Sequence, residues 1–194
     1  MLLKICGIKT KEDASWALRC GANALGFVFY PKSPRYLNPS EAREIIHSLT
    51  VDCIKVGVFV GSPKMPPPAE IDVLQLHGLR SASEICTFGK KVWIAVGPSE
   101  IKFFPDDDLL IDTSWGRGIT ANWKTLKSIQ RPFILSGGLT PCNVYEAIQL
   151  LHPLGVDVSS GVERSPGLKD PDKIQQFLSN AKRAVHEFDL KKED

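Results

Sequence analysis

The sequence predicts one (β/α)8 barrel spanning residues 1–194, and three observations carry that prediction. Eight short β-rich runs recur along the chain: "LLKIC" (2–6), "ALGFVF" (24–29), "IKVGVFV" (54–60), "DVLQLH" (72–77), "KVWIAV" (91–96), "DLLID" (108–112), "PFILS" (132–136) and "GVDVSS" (155–160). Most are continuously apolar rather than alternating, which suits strands covered on both faces, as in a parallel sheet wrapped by helices. Helix-like stretches with recognisable starts lie between them. Repeats of this kind in about 200 residues fit a barrel at the short end of its size range, with a doubly wound open sheet as the alternative.

The helical stretches follow in order. After the first run comes "TKEDASWALRCG", with Gly21 as its stop, and after the second "NPSEAREIIHSL", with Pro39 and Ser40 near its start. "SASEICTFG" follows the fourth run, and "TPCNVYEAIQLL", opened by Thr140-Pro141, follows the seventh. The longest, "DPDKIQQFLSNAKRAVHEF", follows the eighth, and the charged residues 189–194 beyond it read as a disordered tail. One repeat is defective. Where a third helix belongs stands "GSPKMPPPAEI" (61–71), whose consecutive prolines remove donors and disfavour helix in the residues before them. An extended crossover is predicted there, since eleven residues at roughly 3.3 Å each reach about 36 Å.

Composition bounds the setting. With 194 residues, 43% hydrophobic and 24% charged, the chain has ample core for one globular domain and little room for two. Its 24 basic and 22 acidic side chains are spread along the chain, so neither a nucleic-acid nor a membrane surface is expected. A small anionic ligand remains compatible. Lys4 interrupts the early apolar stretch, no small-residue cleavage pattern follows, and no run approaches transmembrane length, which points to the cytoplasm. The five cysteines are odd in number and far apart, without a Cys-x-x-Cys pair, so reduced thiols are expected rather than disulfides or a zinc site.

Active sites of such barrels are built at the carboxyl ends of the strands, and here the runs end in polar residues. These are Cys6, the loop "YPKSPRY", Gln75 and His77, Asp112, Ser136-Gly137-Gly138 and Ser159-Ser160-Gly161. The loops "SGGL" and "VSSGVE" after the last two runs occupy the common phosphate site of the fold, where backbone N–H groups and a helix N-terminus cradle an anion. The same residues also serve as ordinary turns. Cys6 reads either as a small buried hydrophobe or as a reagent at the barrel mouth. Asp112 closes an apolar run, where a carboxylate is expensive to bury unless it is paired or functional. His77 suits a core histidine as well as a ligand contact. Arg35, between Pro34 and Tyr36, is a solvated loop charge or a guanidinium set for bidentate carboxylate recognition.

Taken together, "KICGIK", "GFVFYPKSPRYL", "VGVFV", "QLHG", "LLIDT", "ILSGGL" and "GVDVSSGVE" followed by "SPGLKD" resemble the phosphoribosylanthranilate isomerase family of tryptophan biosynthesis. The resemblance runs from Lys4 to about Asp170, and "KICGIK" and "SPRYL" are its distinctive parts. It implies an Amadori rearrangement of N-(5′-phosphoribosyl)anthranilate without a cofactor or metal. It also implies Asp112 as the general acid on the furanose ring oxygen and Cys6 as the general base at C2′. Arg35 would hold the anthranilate carboxylate with His77 as a further contact, and the backbone around Gly137, Gly138, Ser159, Ser160 and Gly161 would hold the phosphate. Physical chemistry is compatible with those roles: a carboxyl at an apolar strand end can be kept protonated, and a thiolate at an electropositive mouth is a competent base.

The chain departs from the family after the sixth run. It reads "WGRGITANW", with Arg117 between two glycines and Asn122 before Trp123, where the family has Gly-Thr-Gly and then Phe-Asp-Trp. Asn122 still suits a helix cap, while Arg117 puts a cation near Asp112 that either lowers its pKa or helps bind substrate. A small phosphosugar is the expected partner and a monomer rather than a homodimer the expected state. The alternatives are another phosphosugar isomerase on this barrel, such as the histidine-pathway aminoaldose isomerase, a flavin-binding barrel, and a non-catalytic binder of phosphorylated ligands. The histidine-pathway enzymes resemble this chain less, since they look for an aspartate where Cys6 stands.

Overall fold

All eight predicted strands form, and they close into a barrel. The computed structural model describes residues 1–112 and 123–193, with the side chains of residues 124, 189 and 191–193 left aside. The strands are β1 (Leu2–Cys6), β2 (Ala24–Val28), β3 (Ile54–Val60), β4 (Val73–His77), β5 (Lys91–Val96), β6 (Leu109–Asp112), β7 (Phe133–Ser136) and β8 (Gly155–Val158). Each pairs in parallel with the next and β8 returns to β1, so the closed barrel and not the open sheet is the architecture.

The continuous apolar runs are explained by two separate cores. Alternate residues such as Leu3, Ile5, Leu25, Phe27, Leu74, Leu76, Ile94 and Leu135 point outward into the layer between the barrel and the helices and connections that wrap it. Their neighbours, among them Val28, Val56, Val58, Val73, Trp93, Ala95, Leu110 and Ile134, fill the barrel interior together with Cys6. Both faces of each strand are buried over most of its length, so the two-residue alternation of a half-exposed strand does not develop.

Among the described residues, four α-helices surround part of the barrel: α1 (Lys11–Cys20), α2 (Pro39–His47), α3 (Val144–Leu151) and α4 (Pro171–Glu193). Thr10 caps α1 by accepting from the Asp13 amide at 3.0 Å, and Gly21 ends it in the left-handed region at φ 98°. Asn38 and Glu41 form a reciprocal capping box on α2 behind Pro39. Residues 61–71 contain neither helix nor strand.

The helix predicted over "SASEICTFG" reduces to a single 3-10 turn, Ala82–Glu84. Ile85 is extended at ψ 121° and packs with Phe88 on the outer core, and Phe88 and Gly89 both take positive φ, so no second turn forms. Short 3-10 segments, Pro98–Phe103 and Trp123–Ser128, follow β5 and β6.

Two features lay outside the sequence reading. Glu163–Ser165 (β9) and Leu168–Lys169 (β10) form a small antiparallel hairpin over the barrel mouth. Helix α4 continues to Glu193 and so takes in most of the segment 189–194 read as a disordered tail; Asp194 lies outside the described residues. So do Arg117 and Asn122. All five cysteines are free thiols. No described helix is long and apolar enough to cross a membrane.

Candidate active site

Parallel pairing puts the carboxyl ends of all eight strands on one face, and there they enclose a cavity of about 380 Å³. Cys6 from β1, His77 and Gln75 from β4, Asp112 from β6, Gly137 and Gly138 after β7, and Ser159 and Ser160 after β8 border it. Arg35 reaches it from the loop after β2. One sequence-singled residue is not a wall of this cavity. Gly161 sits behind the loop, where a Cβ would strike the Leu139 carbonyl oxygen, so glycine there lets the β8 loop pack onto the β7 loop.

The two predicted anion loops are built with different devices. Gly137 and Gly138 both take positive φ, 86° and 67°, a pair of left-handed residues that side chains disfavour and that turns the chain back over the mouth. Asn143 braces this turn: its Oδ1 accepts from the Thr140 amide at 2.8 Å and its Nδ2 donates to the Gly138 carbonyl at 2.9 Å. Ser159 donates from Oγ to the Cys6 carbonyl at 3.2 Å, tying the β8 end to the β1 end.

Cys6 is buried, and burial raises its thiol pKa; Lys4 pulls it down, Asp157 raises it and Lys169 lowers it, with a net rise. An electropositive mouth therefore does not outweigh desolvation here. His77 is held below the ordinary histidine value, chiefly by burial, although the Asp112 carboxylate pulls the other way. The imidazole is therefore neutral at neutral pH. The Gln75 side-chain amide and His77 Nε2 are hydrogen-bonded at 2.8 Å, which fixes the plane of the imidazole at the mouth.

Arg35 is no free loop charge. Its Nε and Nη2 donate to the two carboxylate oxygens of Glu163 at 2.8 and 2.7 Å, and Lys169 Nζ donates to Glu163 Oε1 at 2.8 Å. A guanidinium bound along that side keeps its other edge, one N–H on Nη1 and one on Nη2, for a second carboxylate. The hairpin thus aims Arg35, a function of Glu163 and Lys169 that the sequence reading did not find.

Lys4 and Asp157 were also missed. Both are buried inside the barrel and paired at 2.8 Å, and Ser136 Oγ donates to the second Asp157 oxygen at 3.1 Å. A signal existed: each is a charged residue inside an apolar run, two positions before a residue singled out at the same strand end, hence on the same face.

With a thiol, a carboxylate and two glycine-bearing loops opening on one cavity at the carboxyl ends of the strands, the chain falls in the class of (β/α)8-barrel enzymes. Residues 3–180 match the family model for N-(5′-phosphoribosyl)anthranilate isomerase, and the chain belongs to that family. It is 41% identical over 202 residues to the N-(5′-phosphoribosyl)anthranilate isomerase of Geotalea daltonii, covering 94% of this chain and 97% of the relative. The crystal structure of phosphoribosyl anthranilate isomerase from Thermotoga maritima superposes with a TM-score of 0.82 at 36% identity, over 94% of this chain and all of that one (100%). A crystal structure of the same enzyme type in complex with reduced 1-(o-carboxyphenylamino)-1-deoxyribulose 5-phosphate matches at TM-score 0.76 and 38% identity, covering 94% and 100%.

Proposed function

We propose that this chain isomerises N-(5′-phosphoribosyl)anthranilate to 1-(2-carboxyphenylamino)-1-deoxyribulose 5-phosphate in tryptophan biosynthesis. The observation that carries the reading is the convergence of Cys6 and Asp112, from strands on different sides of the barrel, on one cavity flanked by the β7 and β8 loops. Family membership over residues 3–180 supports it.

The chemistry needs two protons moved at two atoms. Asp112 donates a proton to the furanose ring oxygen as the C1′–O bond breaks, and the nitrogen lone pair closes the iminium. Cys6, as thiolate, then takes the C2′ proton, and the released electron pair forms the enolamine, which tautomerises to the ketone. The backbone of Gly137, Gly138, Ser159 and Ser160, with Gly161 packed behind it, holds the phosphate. The free edge of Arg35 holds the anthranilate carboxylate, and neutral His77 contributes a hydrogen bond beside Asp112. No cofactor or metal is required for these steps. One chain supplies every group named, so a monomer suffices.

The test generates phosphoribosylanthranilate in situ and follows its fluorescence. Decay faster than the uncatalysed blank is the expected result, and decay at the blank rate would remove the reading.

A further inference from the structure

We propose that Lys4 is a positioning residue for the Cys6 thiolate, its ammonium held beside Sγ by the buried Asp157 carboxylate and given room by the absence of a side chain on Gly26. The inference rests on Cys6 as the base, but it concerns a residue to which that reaction assigns nothing.

The geometry supplies the argument. Lys4 and Cys6 are two residues apart on β1 and so point to the same side, into the barrel, and Gly26 lies directly opposite Cys6 in the β1–β2 register. A Cβ on Gly26 would come within 2.7 Å of Cys6 Sγ and 3.0 Å of Lys4 Nζ, so thiol and ammonium flank the same point over the glycine. Lys4 is wholly buried, and a lone buried ammonium is costly. Asp157, opposite Lys4 in the β1–β8 register, compensates it at 2.8 Å. Its other oxygen accepts from Ser136, which fixes the carboxylate. An aliphatic residue would fill the space at position 4 without the burial cost of an ion pair. What the pair adds is a permanent cation against the thiol. As Cys6 loses its proton to solvent, Lys4 stays protonated and the new negative charge is met at once.

Other charges face Cys6 as well. Lys169 on β10 favours the thiolate and Asp157 on β8 opposes it. Arg35, from the β2 loop, also senses the thiolate, and His77 on β4 faces Lys4 and Asp157 across the interior. Burial pushes the Lys4 ammonium down, but Asp157 and Cys6 more than reverse this, so Lys4 remains charged throughout the working range.

The experiment measures the pH dependence of Cys6 alkylation by iodoacetamide, read at the Cys6 peptide by mass spectrometry, and in parallel the pH profile of kcat/KM. Two variants are compared with the parent. Lys4→Met combined with Asp157→Asn removes both charges, and the alkylation midpoint is expected to rise by about one pH unit or more, a tenfold loss of thiolate at fixed lower pH. Asp157→Asn alone removes the carboxylate that compensates the buried ammonium and leaves the Cys6 thiolate to compensate it instead, so the thiolate is favoured and the midpoint is expected to fall. Opposite movements are not what general loosening of the barrel would produce. Midpoints equal to the parent in folded variants would overturn the proposal, and if the double variant does not fold, the single one decides alone. Alkylation midpoints that move while the kcat/KM profile stays fixed would uphold Lys4 and instead remove Cys6 as the base.

Discussion

Arg35 has two edges suited to a carboxylate, and Glu163 occupies one of them. A lysine has a single ammonium and cannot serve Glu163 and a ligand at once with the same geometry. Arg35→Lys should therefore lower kcat/KM by about ten- to a hundredfold, corresponding to roughly 1.5–3 kcal/mol of transition-state binding. Steady-state kinetics equal to the parent would remove Arg35 from the substrate's carboxylate. Cys6 is tested differently. Cys6→Ser keeps the size but places the base's pKa far above neutrality, so it should match Cys6→Ala in losing about 10²–10⁴ of the rate. Because the Cys6 thiol is raised, the parent's kcat/KM should still be climbing above the ordinary cysteine range, as deprotonation proceeds. Cys53, pushed up to about 11, mainly by burial, is inert near neutrality, and its replacement should leave turnover unchanged. Turnover at the parent rate by Cys6→Ser would make Cys6 a packing residue.

At the scale of elements, the β9–β10 hairpin and the proline segment make opposite predictions. Glu163 is buried between Arg35 and Lys169; burial alone would raise its carboxyl, but the two cations hold it below the usual value. A lowered folded pKa stabilises fully above the unfolded carboxyl value, near 4.3, and the contribution is lost as pH falls through the folded value. Glu163→Gln should cost about 2–4 kcal/mol at neutral pH, since it leaves Lys169 uncompensated. The loss should shrink towards low pH, and urea midpoints at two pH values check it. Residues 61–71 should behave otherwise. Gly61 donates to His77 O and Ile71 to Pro68 O, whereas the amides between them enter no ladder and should exchange with solvent quickly. Protected exchange across 62–70 would contradict this.

The hairpin was illegible in sequence for a physical reason. Its strands are three and two residues long, carry no apolar period, and are tied to Arg35, 128 residues away along the chain. Barrel strands and the ends that carry Cys6, His77 and Asp112 were legible because burial on both faces writes unbroken apolar runs. The Lys4–Asp157 pair, 153 residues apart, appears in sequence only as two exceptions to those runs.

Across the whole molecule, helical cover is unequal. In the described chain α1, α2, α3 and α4 follow β1, β2, β7 and β8, whereas the connections after β3, β4, β5 and β6 contain only turns, bends and 3-10 segments among the described residues. Helix α4 packs on both α1 and α3, and Trp16 of α1 donates to the Pro171 carbonyl at its start, so the covered half is braced twice: strand to strand and helix to helix. Among the described residues, the other half relies on its strand ladders, the interior side chains and smaller outer contacts such as Phe104 and Leu79. Local opening should therefore begin there, because fewer buried apolar contacts are lost when it opens. Hydrogen exchange under native conditions should show β4, β5 and β6 amides opening at lower free energy than those of β1, β2 and β8. Closure of the barrel works against this difference, since freeing any strand breaks two ladders at once. If β5 amides exchange as slowly as those of β1, closure dominates and the barrel opens only as a unit. If they exchange faster, the thiol end of the site stands on the rigid half, with the β7 and β8 loops, while His77 and Asp112 approach from the half that yields first.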